Sequence, residues 1–140
     1  MSLEVTRMAQ AMGGCQCGAV RYRFDGATLD LAVCHCTDCQ RQSGSAFGMS
    51  LWIPAEAFHL LSGSLKFFEV VCDSGRIKAC AFCPRCGTRI YHRTDEAGIS
   101  IKAGTLDDTS SLRPTSHYWT KRKQPWVHVP EGTASFPDDG

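Results

Sequence analysis

The chain has 140 residues, the size of a single domain that buries roughly two thirds of the surface exposed by its unfolded chain. Its formal net charge is only +1, so neither nucleic acid nor an anionic membrane is an expected partner. No stretch approaches the roughly 18 apolar residues of a membrane span, and the first residues lack the apolar core of a signal peptide. We therefore expect a cytoplasmic protein.

The chain contains nine cysteines, an odd number that leaves at least one thiol unpaired in any scheme made only of disulfides. In a reducing compartment, clustered cysteines are typical of metal ligands or redox groups. Most of these cysteines fall into three short clusters, so the sequence predicts a metal-binding protein.

The first cluster follows a lead-in that shows no periodicity up to about Gln10. Residues 13–18 read GGCQCG and place Cys15 and Cys17 between glycines, which let the backbone turn tightly around an ion. Residues 19–24 then alternate apolar and polar side chains, which predicts a half-buried strand ended by the Asp25-Gly26 turn.

The second cluster is the stretch CHCTDC at residues 34–39, and an alternating strand predicted at 29–33 leads into it. In an extended backbone, residues i and i+2 face the same side, so Cys34 and Cys36 can converge on one ion while His35 faces away. Cys39 returns through a C-x-x-C turn as a third thiolate. Three ligands are one fewer than a closed tetrahedral zinc site has, and such a site usually keeps its fourth position for water or substrate.

The rest of the chain predicts mostly short strands. Pro54 stands at a helix-start position, so residues 54–61 are predicted to form the one helix longer than a turn or two. The other predicted elements, in chain order, are one helical turn at 40–44, a buried strand at 46–53, two strands at 65–71 and 76–82 joined by a hairpin turn at 73–75, strands at 88–92 and 99–104, and one or two more at 116–119 and 126–129. Together they predict a mainly β, mostly antiparallel domain with thiol clusters at its strand ends.

The third cluster, CPRCG at residues 83–87, is a zinc-knuckle turn in which Pro84 presets one dihedral angle and Gly87 permits the next.

The simplest assignment of the thiols to metal ions uses the two outer pairs as the four ligands of one tetrahedral site. The three central thiols then bind a second ion whose fourth position is open. The structural site is then formed by Cys15, Cys17, Cys83 and Cys86, and the open site by Cys34, Cys36 and Cys39. His117 or His92 could complete the second set, which would make that site structural as well. Cys72 and Cys80 are spare and are expected to be small buried apolar side chains.

An open three-thiolate zinc site favours a further sulfur ligand. A coordinated thiol is fully deprotonated, whereas a free thiol is only a few per cent thiolate at pH 7. Coordination therefore raises the concentration of the reactive thiolate roughly 30-fold. The chemistry expected at residues 34–39 is therefore the making or breaking of a carbon–sulfur bond on a small thiol.

The three clusters, in this order, resemble the signature of the glutathione-dependent formaldehyde-activating enzyme (GFA) family, the domain shared with centromere protein V. The HYW stretch at residues 117–119 and the Pro125-Trp126 pair resemble its C-terminal motif. The resemblance covers residues 13–130 and leaves 1–12 and 131–140 as terminal tails. It implies a β-tent fold, a structural zinc on the four outer cysteines and a catalytic zinc on Cys34, Cys36 and Cys39. The implied activity is that of an S-(hydroxymethyl)glutathione synthase, classed as a carbon–sulfur lyase, with glutathione as the small-molecule partner.

Two other functions stay open at this point. The domain could be a non-enzymatic, zinc-stabilised binding module, or a thiol redox enzyme that uses Cys72 or Cys80. Candidates for binding the carboxylates of glutathione, by charge alone, are Arg41, Arg89 and Lys121.

Overall fold

A computed structural model describes residues 10–25, 31–72 and 74–139, which form a mainly β domain. The strands are β1 (Gln10–Gly14), β2 (Arg21–Asp25), β3 (Leu31–Cys34), β4 (Gly48–Pro54), β5 (Phe58–Ser62), β6 (Lys66–Val71), β7 (Ile77–Phe82), β8 (Arg89–Arg93), β9 (Gly98–Lys102), β10 (Pro114–Tyr118) and β11 (Ala134–Ser135). Helix α1 (Thr37–Ser43) is the one α-helix of the described residues, and 3-10 turns occupy Ala55–Ala57, Ala103–Thr105 and Thr120–Arg122. The mainly β prediction with one short helix is confirmed.

The strands form two sheets. The smaller has the order β1-β2-β5, and the larger has the order β11-β10-β3-β4-β9-β8-β7-β6. Neighbouring strands are antiparallel except that β10 runs parallel to both β3 and β11. Phe58 of the smaller sheet stacks on Tyr22 and meets the Tyr91 ring of the larger sheet at a centroid distance of 5.1 Å. The core lies where these two sheets meet.

The alternation predicted at residues 19–24 is confirmed, because Tyr22 and Phe24 of β2 are buried in that core while their neighbours are only half-buried. The strands predicted around residues 46–53, 65–71, 76–82, 88–92, 99–104 and 116–119 also appear, as β4, β6, β7, β8, β9 and β10. The strands predicted at 19–24 and 29–33 correspond to β2 and β3.

The helix predicted at residues 54–61 is wrong. Only Ala55–Ala57 form a 3-10 turn, and the chain then becomes extended at Phe58, where β5 begins. Strand β5 pairs with β2, and this places Phe58 on Tyr22 in the core. Strand pairing and burial therefore outweigh the local helix signal of Pro54, which sets only the first turn. The α-helix lies instead at Thr37–Ser43, where the sequence predicted one turn at residues 40–44.

The end of the chain also differs from expectation. Residues 126–129 form no strand, and β11 pairs with β10 inside the segment expected to be a tail. Several predicted features lie outside the described residues in whole or part: the lead-in before Gln10, the turn at Gly26, the start of the strand at 29–33 and the hairpin turn at residue 73. Among the described residues, no helix combines the length and apolar character needed to cross a membrane.

Gly13 marks a close contact between β1, β2 and the 3-10 turn after β9. It pairs with Tyr22, and a side chain at this position would collide with the Tyr22 ring and with the backbone oxygen of Thr105. Since backbone cannot move aside cheaply, we expect Gly13→Ala to destabilise the fold by about 2 kcal/mol. Urea denaturation measures this change. Gly104→Ala is the matched control, because the space around Gly104 is open; equal losses in both variants would contradict the steric argument.

Candidate metal centres

The first sulfur cluster joins residues that are far apart in the chain. The Sγ atoms of its four members all lie within 4.8 Å of one another, and the members are Cys15, Cys17, Cys83 and Cys86. Cys15 follows directly after β1, and Cys83 follows directly after β7. The two turns are similar: Gly18 and Gly87 have φ values of 83° and 84°, and each donates its N–H to the carbonyl of the first cysteine of its turn. Glycine reaches this left-handed backbone region without strain.

Backbone amides point at the sulfurs of this cluster. The Val20 N–H donates to Cys15 Sγ at 3.2 Å, and the Arg85 N–H donates to Cys83 Sγ at 3.3 Å. The Thr88 hydroxyl and backbone lower the pKa of Cys86 to about 5. The Thr88 hydroxyl also accepts the Gln16 N–H at 3.1 Å, which ties the two turns together. Such donors stabilise thiolate sulfur, the form that binds a metal.

The second cluster brings together the three central thiols. The Sγ atoms of Cys34, Cys36 and Cys39 lie within 4.8 Å of one another. Cys34 ends β3, Cys36 is the N-cap residue of α1 and accepts the Cys39 N–H at 3.3 Å, and Cys39 lies in the first helical turn. Gly44, with a φ of 63°, ends the helix. The predicted return through a C-x-x-C turn is therefore formed by the start of a helix.

Without a cation, the three central thiols share a limited negative charge. Hydrogen bonds from Cys34 and Cys39 lower the pKa of Cys36, whereas Cys34 and Cys36 raise the pKa of Cys39. The cluster thus favours one thiolate and resists further ionisation, because each added charge repels the first. A bound cation would remove that repulsion.

Neither candidate histidine completes the second cluster, which among the described residues consists of the three cysteines alone. His35 is fully buried and is not part of the sulfur group, and its Nε2 lies 3.0 Å from Nδ1 of His117. His35 Nδ1 and His117 Nε2 have no hydrogen-bond partner among the described residues. His92, the other candidate histidine, accepts a hydrogen bond at Nε2 from Arg89 at 3.0 Å.

Three cavities lie near the Cys34-Cys36-Cys39 cluster, and one of them is lined by a member of it. A cavity of about 170 Å³ is lined by Cys39 itself, together with Lys102, Lys78 and His92. A larger one, of about 400 Å³, shares Lys102 with the first and is lined by Arg89. A third, of about 350 Å³, is lined by Arg41, Lys78, Arg89 and the apolar side chains of Phe68 and Val70. One cavity therefore borders the cluster directly, and all three cavities have cationic side chains in their walls.

The predicted carboxylate-binding residues lie in different parts of the structure. Arg41 and Arg89 line these cavities, whereas Lys121 forms an ion pair with Asp138 and lies over the Trp119 ring. Sequence reasoning missed Lys102, which is only 9% exposed and whose Nζ donates to Ser50 Oγ at 3.1 Å. Burial lowers the pKa of Lys102, and negative charge on the nearby sulfur cluster opposes that effect. The only signal in the sequence was a lysine at the end of an apolar strand.

The two spare cysteines lie outside both clusters. Cys80 is buried, as expected, and lines the cavity of about 350 Å³, while Cys72 is half-buried. All nine cysteines are free thiols.

His92 gives the fold a testable pH dependence. Burial, and then the charges of Lys102, Lys78 and Arg89, lower its pKa from the ordinary 6.5 to about 3. Below pH 6.5 the unfolded chain therefore binds a proton that the folded chain refuses, so stability falls as the pH drops from 6.5 towards 3. Between about pH 7.5 and about pH 5.5 this effect amounts to about 1.4 kcal/mol.

We expect His92→Gln to lose correspondingly less stability over that range, since glutamine can accept the Arg89 hydrogen bond but does not titrate. Urea denaturation at the two pH values measures the difference. His128→Gln, at an exposed position, is the control. An equal loss of unfolding free energy between the two pH values in the wild type and in His92→Gln would contradict the prediction.

The fold and the sulfur clusters define a small, mainly β domain with one four-cysteine and one three-cysteine group that could each hold a metal ion. The family model for the glutathione-dependent formaldehyde-activating enzyme matches residues 10–122, and the chain belongs to that GFA family. The resemblance stated from the sequence is thus confirmed. The chain is also similar in structure to a crystal structure of a Rhodobacter sphaeroides protein, with a TM-score of 0.57 and 19% identity over 71% of this chain and 90% of that one. That similarity supports the fold.

Proposed function

We propose that this protein is a zinc-dependent carbon–sulfur lyase, similar to S-(hydroxymethyl)glutathione synthase, which joins a small thiol such as glutathione to an aldehyde. In this proposal a structural zinc is held by Cys15, Cys17, Cys83 and Cys86, and a catalytic zinc by Cys34, Cys36 and Cys39. The catalytic domain spans residues 13–130, the protein works in the cytoplasm, and neither nucleic acid nor a membrane is a partner. The observation that carries the proposal is the three-sulfur cluster whose member Cys39 lines a cavity.

The donor sets fit zinc. Each cluster offers cysteine sulfur alone, within the spacing that one ion can bridge, and soft thiolate donors favour zinc over magnesium or calcium. The four-sulfur set matches a closed structural site, and the three-sulfur set leaves one position of a tetrahedron free. A zinc ion at the second set would supply ionisation of a bound thiol at neutral pH.

The protein's own side chains would orient the reactants. Cys36 and Cys39 are fixed by the start of α1, so the sulfur positions do not depend on a mobile loop. The cavity of about 400 Å³ could accommodate a thiol as large as glutathione. Arg89, which lines it, carries a charge suited to a carboxylate. The cavity of about 170 Å³ lined by Cys39 suits a smaller carbonyl reactant. Holding the two reactants together is itself a large source of rate enhancement.

The proposal is tested by following the exchange between formaldehyde, glutathione and their adduct by NMR, with native mass spectrometry of the same sample. We expect two zinc ions per chain and an exchange rate that rises in proportion to protein concentration. A protein with two zinc ions and no effect on exchange would favour the non-enzymatic binding module instead. A single zinc ion would contradict the assignment of the second cluster.

A further inference from the structure

We propose that Lys102 and Gln42 form a carboxylate-binding subsite beside Cys39, and that the carbonyl reactant carries its carboxylate on the carbon that is attacked, as in a 2-oxo acid such as glyoxylate. This inference rests on the proposed function, because it assumes that a thiol adds to a carbonyl compound at the Cys34-Cys36-Cys39 cluster. It replaces a neutral aldehyde by an anionic one as the preferred reactant.

The first support is the burial of Lys102 at the end of β9. Its side chain is nine-tenths buried, and none of the described carboxylates lies within ion-pair distance of it. An ammonium group is costly to bury unless an anion accompanies it. Negative charge on the neighbouring sulfur cluster supplies part of that anion. Additional positive charge comes from Lys78, which lines the cavity of about 170 Å³, and from Arg89, which lines the cavity of about 400 Å³.

The acidic residues in these walls do not cancel this positive charge. Asp95 lines the cavity of about 170 Å³, but three cationic side chains, Lys78, Arg93 and Lys102, line the same cavity. Asp38 lines only the cavity of about 350 Å³. None of the described residues in the wall of the cavity of about 400 Å³ is acidic. Around Lys102, therefore, the described residues leave a surplus of positive charge.

The second support is an unused hydrogen-bond donor. Gln42 Nε2 is buried and has no partner among the described residues. Gly48 lies beside it and brings three groups together: a Cβ built on Gly48 would lie 3.1 Å from Gln42 Nε2, 3.3 Å from Cys39 Cβ and 3.4 Å from Lys102 Nζ, and Gln42, Gly48 and Lys102 line the cavity of about 400 Å³. An amide donor and an ammonium group thus border one small space next to a proposed zinc ligand. Buried donors are normally satisfied, so this space suits an acceptor that is part of a ligand.

The position of this space indicates which reactant carries the carboxylate. It adjoins Cys39, so a carboxylate held there would lie close to the reacting atoms. In a 2-oxo acid the carboxylate is bonded directly to the carbonyl carbon, whereas in glutathione both carboxylates are several bonds from the sulfur. Lys102 lines both the cavity of about 400 Å³, together with Gln42 and Gly48, and the cavity of about 170 Å³, together with Cys39, so a small reactant held at Lys102 would lie beside Cys39.

The reaction needs no oxidant or reductant. The thiolate sulfur attacks the aldehyde carbon of glyoxylate, forming the carbon–sulfur bond while the carbonyl π pair moves to oxygen. That oxygen then takes up the proton that the thiol has lost. The product is a hemithioacetal of glyoxylate, and the reverse reaction breaks the same bond. Lys102 binds the carboxylate, which takes no part in the bonds that form and break.

The kinetic test compares glyoxylate with glycolaldehyde, a neutral aldehyde of similar size, both with glutathione as the thiol. We expect kcat/KM for glyoxylate to exceed that for glycolaldehyde by about tenfold, since a charge-assisted contact is lost with the neutral aldehyde. Lys102→Met should lower the glyoxylate value about tenfold, mainly through KM, and change the glycolaldehyde value less than about threefold. Lys66→Met, on the exposed edge strand β6, makes the same charge change away from the cavities and should leave both values unchanged.

A binding measurement independent of activity uses glycolate, which resembles glyoxylate but has a hydroxymethyl group in place of the aldehyde. Titration of the zinc-loaded protein with glycolate should shift the Gln42 side-chain amide signal in a ¹H–¹⁵N spectrum and leave the Gln16 signal in place. If Lys102→Met fails to fold, Gln42→Leu and Lys102→Arg replace it. The first should lower kcat/KM for glyoxylate, and the second should preserve it.

The outcomes separate this inference from the proposed function. Catalysis with formaldehyde but no preference for glyoxylate would overturn the subsite and leave the thiol–aldehyde activity standing. The subsite would also be overturned if Lys102→Met weakened only the use of acidic thiols, measured as 3-mercaptopropionate against 2-mercaptoethanol with formaldehyde. Failure of every thiol and aldehyde pair would overturn both.

Discussion

Replacing Cys83 with serine is expected to leave the protein largely unfolded. Cys83 is fully buried within the core cluster and contributes one of the four sulfurs that connect the turn at residues 15–18 to the turn at residues 83–87. A structural zinc site can contribute on the order of 10 kcal/mol to folding, whereas a whole domain is stable by only about 5–15 kcal/mol. Weakening that site therefore removes most of the stability.

Circular dichroism and tryptophan fluorescence measure the loss directly, as a thermal unfolding transition that moves to much lower temperature or disappears. Cys72→Ser is the matched control, because it makes the same substitution at a half-buried cysteine outside both clusters. A strong chelator added to the wild-type protein should reproduce the effect of Cys83→Ser, and restoring zinc should reverse it. A Cys83→Ser protein that melts within a few degrees of Cys72→Ser would show that the four-sulfur site does not hold the fold together.

The sulfur clusters could be predicted from the sequence because their spacing is a local property. A C-x-C or C-x-x-C turn brings its own thiols together whatever the rest of the chain does, and the glycines at 18, 44 and 87 mark the required backbone conformations. The pairing of the two outer clusters followed from counting ligands. The half-buried strand around Tyr22 was visible as simple alternation.

Other features depend on partners that are distant in the chain. Residues 58–62 form a strand because β2 offers them both hydrogen bonds and an aromatic surface. The parallel pairing of β10 with β3 brings His117 onto His35, although 82 positions separate them in sequence. Lys102 becomes part of the site because β9 pairs with β4, which places its Nζ on Ser50. None of these contacts has a local sequence signal, so only the folded arrangement reveals them.

Replacing Cys36 with serine should have the opposite effect to replacing Cys83: activity is lost while the fold persists. Cys36 is the N-cap residue of α1, and serine is among the best N-cap residues, so the helix should still begin at the same position. Only two of the three central sulfurs remain, and a serine hydroxyl is a poor substitute for a thiolate toward zinc. Native mass spectrometry should therefore find one zinc ion per chain instead of two.

The rate of glutathione–formaldehyde exchange should fall about 100-fold or more in Cys36→Ser, since even residues that only support a metal ligand commonly cost 10- to 100-fold. Cys72→Ser again serves as the control and should keep both zinc ions and the full rate. The midpoint of thermal unfolding should stay close to the wild-type value, because the four-sulfur site is untouched. A Cys36→Ser protein that retained the wild-type exchange rate would rule out the central cluster as the site of reaction, and one that unfolded would show that this cluster stabilises the domain instead of serving chemistry alone.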